Sequence, residues 1–294
     1  MIVAVTGANG FIGSHLCRRL ARAGHETRAL VRAPSDALAG MRGVEQRVIG
    51  DLAQFDGWPA VLRGVDAVVH LAGYAHGRGS DDAVTAVNVK ATVRAAQAST
   101  AHFIYMSSVK VHGESSRNRP FDERSALTPQ ERYAVSKAAA EDALRALHGV
   151  RLTIVRPPLV YGPGVRANFL ALVGAIAKGI PLPLAAIRNR RSLIYAENLA
   201  DALVACLERA QAVGRSYLIA DGAALSTPAL CHAIGRALGR RAYLFPVPAA
   251  LIPVRSLTRS LEVDDSAIRR ELGWQPPFSL EEGLRATAHW YRSR

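Results

Sequence analysis

Lysine is almost missing from this 294-residue chain: Lys90, Lys110, Lys137 and Lys178 are the only four, and arginine supplies the rest of the 37 basic residues and of the net charge of +13. The arginines stand mostly singly, with no aromatic residues interleaved, which argues against a nucleic-acid groove and leaves a positive potential suited to an anionic small molecule. Cysteine is scarce too. Cys17, Cys206 and Cys231 lie far apart, without the CxxC spacing of a zinc site or the even count of a secreted disulfide framework, so they read as buried thiols and no metal is expected. Long apolar runs are absent because arginines interrupt every candidate, which excludes insertion into a membrane. No basic region precedes the opening Met1-Ile2-Val3-Ala4-Val5, so no secretory signal is read and a cytoplasmic protein is expected. Internal repeats and low-complexity tracts are also missing.

What is present is hydrophobic residues, 49% of the chain, enough for a substantial core. Short β-branched runs alternate with helical stretches. Strands are predicted at Ile2 to Thr6, Glu26 to Val31, Glu45 to Ile49, Ala67 to His70, His102 to Met106 and Arg151 to Arg156. Helices are predicted at Phe11 to Ala23, Asp81 to Ser99 and Pro129 to Leu147. Apolar strands of this kind are buried on both faces, so the fold class is α/β, a doubly wound parallel Rossmann sheet. After Arg156, prolines and glycines break the alternation, with proline-rich joints at Ile180 to Pro183 and Phe245 to Pro253. The expected division is a dinucleotide-binding part over 1–165, returning near 192–221, and a smaller mixed C-terminal substrate lobe over 166–191 and 222–294.

Gly7, Gly10 and Gly13 form G-x-x-G-x-x-G between the first strand and first helix, where a tight turn and close approach to a pyrophosphate both need missing side chains. The helix that follows directs its positive dipole end at the phosphates. The residue facing the adenosine ribose belongs at the end of the second strand, where Arg32 stands. A cation there suits the 2′-phosphate of NADP(H), with Ser35 able to add a bond, and NAD(H) remains possible if Arg32 is only a solvated surface residue.

Tyr133 and Lys137, spaced i, i+4 on a predicted helix, project from one face. An ammonium beside a phenol favours the phenolate, so the pair suits proton transfer to or from a hydroxyl or ketone oxygen. Ser107 and Ser108 follow the apolar strand ending at Met106, and strand C-terminal ends are where ligands sit in open α/β sheets.

With these motifs go Asp51 in Gly-Asp-Leu, His70-Leu-Ala-Gly73, Asn88, the S-S-V-K-V-H-G stretch, R-P-P-L-V-Y-G-P-G from Arg156 and D-x-S-x-x-R-R-E-L-G-W from Asp264 to Trp274. In that order they resemble the extended short-chain dehydrogenases/reductases of the NAD-dependent epimerase/dehydratase family. The resemblance implies an enzyme with Ser108, Tyr133 and Lys137 as catalytic residues. It places Asn9, Phe11 and Ile12 with the glycines around the cofactor, Asp51 and Leu52 at the adenine, and Leu71, Ala72 and Gly73 along its backbone path. Asn88 and Pro157 complete that set together with Tyr133 and Lys137. For a UDP-sugar it implies Asn168 and Arg191, with Ser108 at the reacting oxygen, although R-N-R-R at Arg188 to Arg191 also reads as a basic surface loop.

Two positions depart from the family's UDP-sugar 4-epimerases: His112 stands where tyrosine is common, and Arg32 replaces an acidic residue. V-K-V-H-G-E and R-R-S-L-I-Y-A-E-N-L are most similar to members that reduce UDP-4-keto-6-deoxy-N-acetylhexosamines in O-antigen or capsule synthesis. UDP-hexose 4-epimerisation is the alternative, followed by a small-molecule carbonyl reductase and a non-enzymatic NADP-sensing regulator. The family's four-helix arrangement implies a homodimer through Asp81 to Ser99 and Pro129 to Leu147.

Overall fold

The computed structural model describes residues 1–74, 80–116, 119–252 and 254–294; Pro253, the end of the second proline-rich joint, lies outside the described residues. In chain order the first half contains β1 (Ile2–Thr6), α1 (Phe11–Arg22), β2 (Glu26–Val31), β3 (Val44–Val48), α2 (Trp58–Val61), β4 (Ala67–His70), α3 (Asp81–Thr85), α4 (Thr92–Gln97), β5 (His102–Met106), α5 (Arg132–Arg145) and β6 (Arg151–Arg156). The rest runs through β7 (Leu159–Tyr161), α6 (Ala167–Ala177), β8 (Leu193–Tyr195), α7 (Ala196–Glu208), β9 (Ser216–Leu218), α8 (Thr227–Leu238), α9 (Arg255–Thr258), α10 (Ser266–Leu272) and α11 (Leu280–Arg292).

Seven parallel strands form one sheet in the order β3-β2-β1-β4-β5-β6-β9. The two-residue period of a strand divides the core between its faces. Val3, Val5, Ile104 and Met106 pack with Leu16 and Leu20 of α1 and Leu199 and Leu203 of α7. Ala4, Phe103 and Tyr105 point the other way, against Ala95 and Ala96 of α4 and Ala140 and Leu144 of α5. The sheet is the doubly wound α/β arrangement expected. Its edge strand β3 exposes Val48 together with Glu45 and Arg47, whose charges discourage pairing with another chain.

A second apolar core joins Phe169, Leu172 and Ile176 of α6 to Leu230 and Ile234 of α8 and Leu284 of α11. Local sequence sets these helices. Ser226 caps α8 by accepting from Ala229 N, Gly239 ends it at φ +64°, and Ser279 with Glu282 forms a capping box on α11.

The structure differs from the sequence reading in three places. The stretch Asp81 to Ser99 is not one regular helix: between α3 and α4 it widens into a π-turn over Ala86–Ala91, where the Thr92 hydroxyl bonds to the Asn88 carbonyl at 2.9 Å. Pro129 to Leu147 begins later, at α5, because Glu131 is still extended. Of the expected return to the sheet, only β9 joins it. β8 instead pairs with β7 in a separate two-stranded sheet, with the Tyr161 and Tyr195 rings 5.6 Å apart. All three cysteines are free and buried, and burial pushes the Cys17 and Cys206 thiols up to about 12. Among the described residues no helix is long and apolar enough to cross a membrane.

Candidate active site

Because the seven strands are parallel, their C-terminal ends share one edge of the sheet, and chain segments leaving that edge carry most of the residues singled out in the sequence. After β1 the chain turns at Gly7, whose φ of +65° favours glycine, and Gly10 N donates to Gly7 O at 2.9 Å. A Cβ on Gly13 would lie 2.2 Å from Gly7 O, so only glycine lets α1 begin this close to the turn. Asn9 is exposed beside the loop, while Phe11 and Ile12 are half-buried and anchor the first turn of α1 in the two cores.

The loop is braced from β4. The Thr6 hydroxyl accepts from Leu71 N and Ala72 N, both at 3.1 Å, and lies 3.2 Å from His70 Nδ1. His70 Nε2 lies 3.0 Å from the Thr92 hydroxyl, whose own proton goes to Asn88 O. A neutral ring protonated on Nε2 satisfies both contacts, and burial first, then the Lys137 charge, lowers the His70 pKa to about 3. Asn88, turned inward by the π-turn, accepts from Tyr74 N at 2.7 Å and donates to Tyr74 O and to Ser136 Oγ of α5. It ties the segment after Gly73 to the helix of Tyr133. A Cβ on Gly73 would meet Asn88 Oδ1 at 2.9 Å and Lys137 Nζ at 3.5 Å.

Ser108, Tyr133 and Lys137 are brought together at the end of β5. Ser107 N donates to Val155 O and Val109 N to Pro157 O, which fixes the chain leaving β5 against the end of β6. Ser108 then caps a short 3-10 turn, Val109–His112, by accepting from Lys110 N at 3.2 Å. Its side chain hydrogen-bonds to that of Tyr133. Burial pushes the Tyr133 phenol up to about 12, against the pull of that bond, so it holds its proton at neutral pH. Lys137 is buried, donates from Nζ to Met106 O at 2.7 Å, and lies 4.6 Å from the Tyr105 ring centre and 6.0 Å from that of Tyr133. Burial lowers its pKa to about 8, the nearby Glu141 carboxylate opposing the shift.

The other positions are more peripheral. Arg32 is exposed at the end of β2, and the exposed Asp51 after β3 accepts from Ala53 N at 2.9 Å, with Leu52 half-buried beside it. Ser35 is bound through its backbone to Gln46. Arg191 is half-buried: its backbone pairs with Leu225, its Nη1 donates to Arg259 O at 3.1 Å, and the charge of Glu114, six residues beyond Ser108, acts on its guanidinium. Asn168 is exposed in the first turn of α6, directly after Ala167, a non-glycine residue at φ +51° of the strained kind that recurs at ligand sites.

Two features escaped the sequence reading. His15 joins α1 to the turn after β7 and to α7, with Nδ1 2.6 Å from Glu197 Oε1 and Nε2 2.8 Å from Pro163 O. Glu141, four residues beyond Lys137 on α5, is wholly buried and paired with Arg156. Its i, i+4 spacing was the available signal.

The glycine turn, too tight to admit a Cβ on Gly13, leads into the N-terminus of α1 on the sheet edge that also carries Ser108, and fits the pyrophosphate of a dinucleotide. Comparisons with known proteins agree with the fold. The chain is 32% identical to a UDP-glucose 4-epimerase of Vibrio cholerae, over 97% of this chain and 94% of that one. It is 31% identical to a ceramide reductase of Caulobacter vibrioides, over 99% and 95%. The crystal structure of a UDP-glucuronic acid 4-epimerase from Bacillus cereus, 23% identical, superposes with a TM-score of 0.84 over 100% of this chain and 99% of the other, a likeness of fold. Residues 3–220 match the family model described as the NAD dependent epimerase/dehydratase family, and with the glycine cradle and the Ser108–Tyr133–Lys137 cluster in place, the chain belongs to that family of extended short-chain dehydrogenase/reductase enzymes.

Proposed function

We propose that this enzyme reduces the 4-keto group of a UDP-4-keto-6-deoxy-N-acetylhexosamine, in O-antigen or capsule synthesis, with NADP(H) as its preferred cofactor. The observation that carries the reading is Arg32, an exposed cation at the end of β2, on the same sheet edge as Ser108, Tyr133 and Lys137. A guanidinium there matches a 2′-phosphate and a cofactor exchanged at every turnover. In this reading residues 1–165 with 192–221 bind the dinucleotide, and 166–191 with 222–294 bind the sugar nucleotide.

When bound, the cofactor supplies the two-electron reduction. Ser108 holds the ketone oxygen by a hydrogen bond, and Tyr133, protonated at neutral pH, donates its proton to that oxygen as the alcohol forms. Lys137 stays charged below about pH 8, positions the ribose and stabilises the phenolate left behind. Arg191 grips the diphosphate through charge-assisted bonds, with Asn168 beside the sugar nucleotide.

A second reading, 4-epimerisation of a UDP-hexose, is favoured by the near-full-length similarity to the Vibrio cholerae UDP-glucose 4-epimerase. One assay separates the two. With the keto sugar, the reductase consumes one NADPH per sugar and prefers it to NADH, and Arg32→Asp shifts that preference toward NADH by about 1–3 kcal/mol. Interconversion of UDP-glucose and UDP-galactose without net cofactor oxidation, with no consumption of NADPH by the keto sugar, replaces the first reading with the second.

We also propose a homodimer built on α3, α4 and α5. The outward face of α5 presents Val135, 48% exposed, with Ala139, and Ala146 follows at its C-cap, small enough for close helix packing. Val135→Glu is expected to give monomers by light scattering at micromolar concentration; a monomeric wild type removes the interface.

A further inference from the structure

We propose that Glu141 is a positioning residue: its buried carboxylate, pinned by Arg156, keeps the Lys137 ammonium charged beneath Tyr133 and Ser108. The inference rests on the reading of Lys137 as a member of the catalytic cluster.

Tyr133, Lys137 and Glu141 occupy successive i, i+4 steps of α5 and therefore one face of it. Glu141 is 0% exposed and Lys137 3%. An isolated carboxylate this deep would take up a proton, so its charge depends on its partners. Arg156, itself buried, donates from Nε to Oε1 at 2.9 Å and from Nη2 to Oε2, and Arg145 donates from Nη2 to Oε2 at 2.9 Å. Burial pushes the Glu141 carboxyl up, but the hydrogen bond and charge of Arg156, followed by a hydrogen bond from Ser107 and the charge of Arg145, outweigh it and hold the group below the usual carboxylate range.

Arg156 is fixed from its other side. Its Nη1 lies 3.1 Å from His112 Nε2, and the His112 ring is stacked on Phe121 at 5.3 Å with Nδ1 3.3 Å from Ala126 O. Burial, then the charge of Arg156, lowers the His112 pKa, so the ring is neutral, protonated on Nδ1 and accepting at Nε2. His112, the departure noted in the sequence, thus faces inward and orients the cation that holds Glu141.

Lys137 is faced by Tyr133 from its own helix, Tyr105 from β5, His70 from β4 and the Met106 carbonyl. His70 is neutral, and the Tyr105 phenol, whose pKa burial raises well above 10, stays protonated. Among these and the other described residues around Lys137, Glu141 supplies the negative charge that opposes loss of the ammonium proton. A brace between α5 and β6 needs no ion pair, since apolar side chains pack such contacts as well or better. The effect on Lys137 does need one.

The test reads Lys137 directly, without substrate or cofactor. Competitive acetylation of the whole protein between pH 6 and 11, followed by cleavage at arginine, isolates the peptide from Tyr133 to Arg145, in which Lys137 is the only lysine. Wild type should titrate near pH 8. Glu141→Gln should move the midpoint down by about one pH unit or more, a tenfold change in proton affinity, and Glu141→Asp should lie between the two. The alkaline limb of kcat should move in parallel, with KM little changed. A folded Glu141→Gln with the wild-type midpoint overturns the proposal. If that variant does not fold, Glu141→Asp decides by the same criterion, and failure of both to fold assigns Glu141 to the fold alone and overturns it too. A shifted midpoint in an enzyme that leaves the keto sugar untouched would refute the substrate reading and leave this one standing.

Discussion

Tyr133→Phe should lose turnover by about a thousandfold while binding the dinucleotide within about threefold of wild type. The substitution removes one oxygen. The ring remains, and with it the packing beside Lys137, whose Nζ lies 6.0 Å from the ring centre and keeps its bond to Met106 O. What disappears is the hydroxyl bonded to Ser108 and the only proton that the cluster presents with a pKa raised to about 12. Stopped-flow turnover alongside a fluorescence titration of the cofactor separates the two effects. Retained turnover would move proton transfer elsewhere. The pH profile has a stated sign as well: the Lys137 pKa is lowered to about 8, so its charged form is present below that pH, and activity should fall as the pH rises through it.

The sheet was readable because its central strands are short continuous apolar runs that end in glycine or polar turns, as β1, β4 and β5 do. The catalytic trio was readable because Tyr133 and Lys137 are close in sequence and Ser108 follows a strand. Features made by distant residues were not. Glu141 and Arg156 are separated by 15 positions, and Arg156 and His112 by 44, and a glutamate in an alanine-rich helix looks like a solvated one. The π-turn at Asn88 escaped for another reason: one extra residue in a helical turn leaves the apolar period on either side unchanged, and in so short a segment the shift of phase between the two halves does not show, so the backbone alone discloses it. The pairing of β7 with β8 joins two three-residue segments across a helix and a proline-rich joint, too short to register as strands. His112 was visible as an unusual residue, but its inward orientation was not.

Gly13→Ala should be the most damaging single methyl added to any of the described glycines. Its Cβ would sit 2.2 Å from Gly7 O, 2.7 Å from Ala8 Cα and 2.7 Å from Ala8 O, all backbone atoms of the turn that leaves β1, so no side chain can rotate away. Either α1 withdraws from the sheet or the turn opens, and either movement spoils the cradle. The expected cost is about 1–3 kcal/mol of stability, the range for overpacking a tight site. A loss of about 3 kcal/mol in dinucleotide binding, roughly a hundredfold in Kd, should accompany it. Gly10→Ala is the informative contrast. Gly10 has an ordinary φ of −75° and its added Cβ would meet only Gly7 O, at 3.1 Å, so the fold should tolerate the methyl. That methyl would nevertheless stand at the N-terminus of α1, where the pyrophosphate is expected to approach the backbone, and should weaken binding by about tenfold with little change in Tm. Thermal unfolding without cofactor, paired with cofactor titration, distinguishes a loop that folds wrongly from one that folds and cannot bind. Wild-type affinity in Gly10→Ala would move the pyrophosphate away from this helix, and wild-type affinity in Gly13→Ala would show that the turn relaxes freely and is not the rigid cradle its geometry describes.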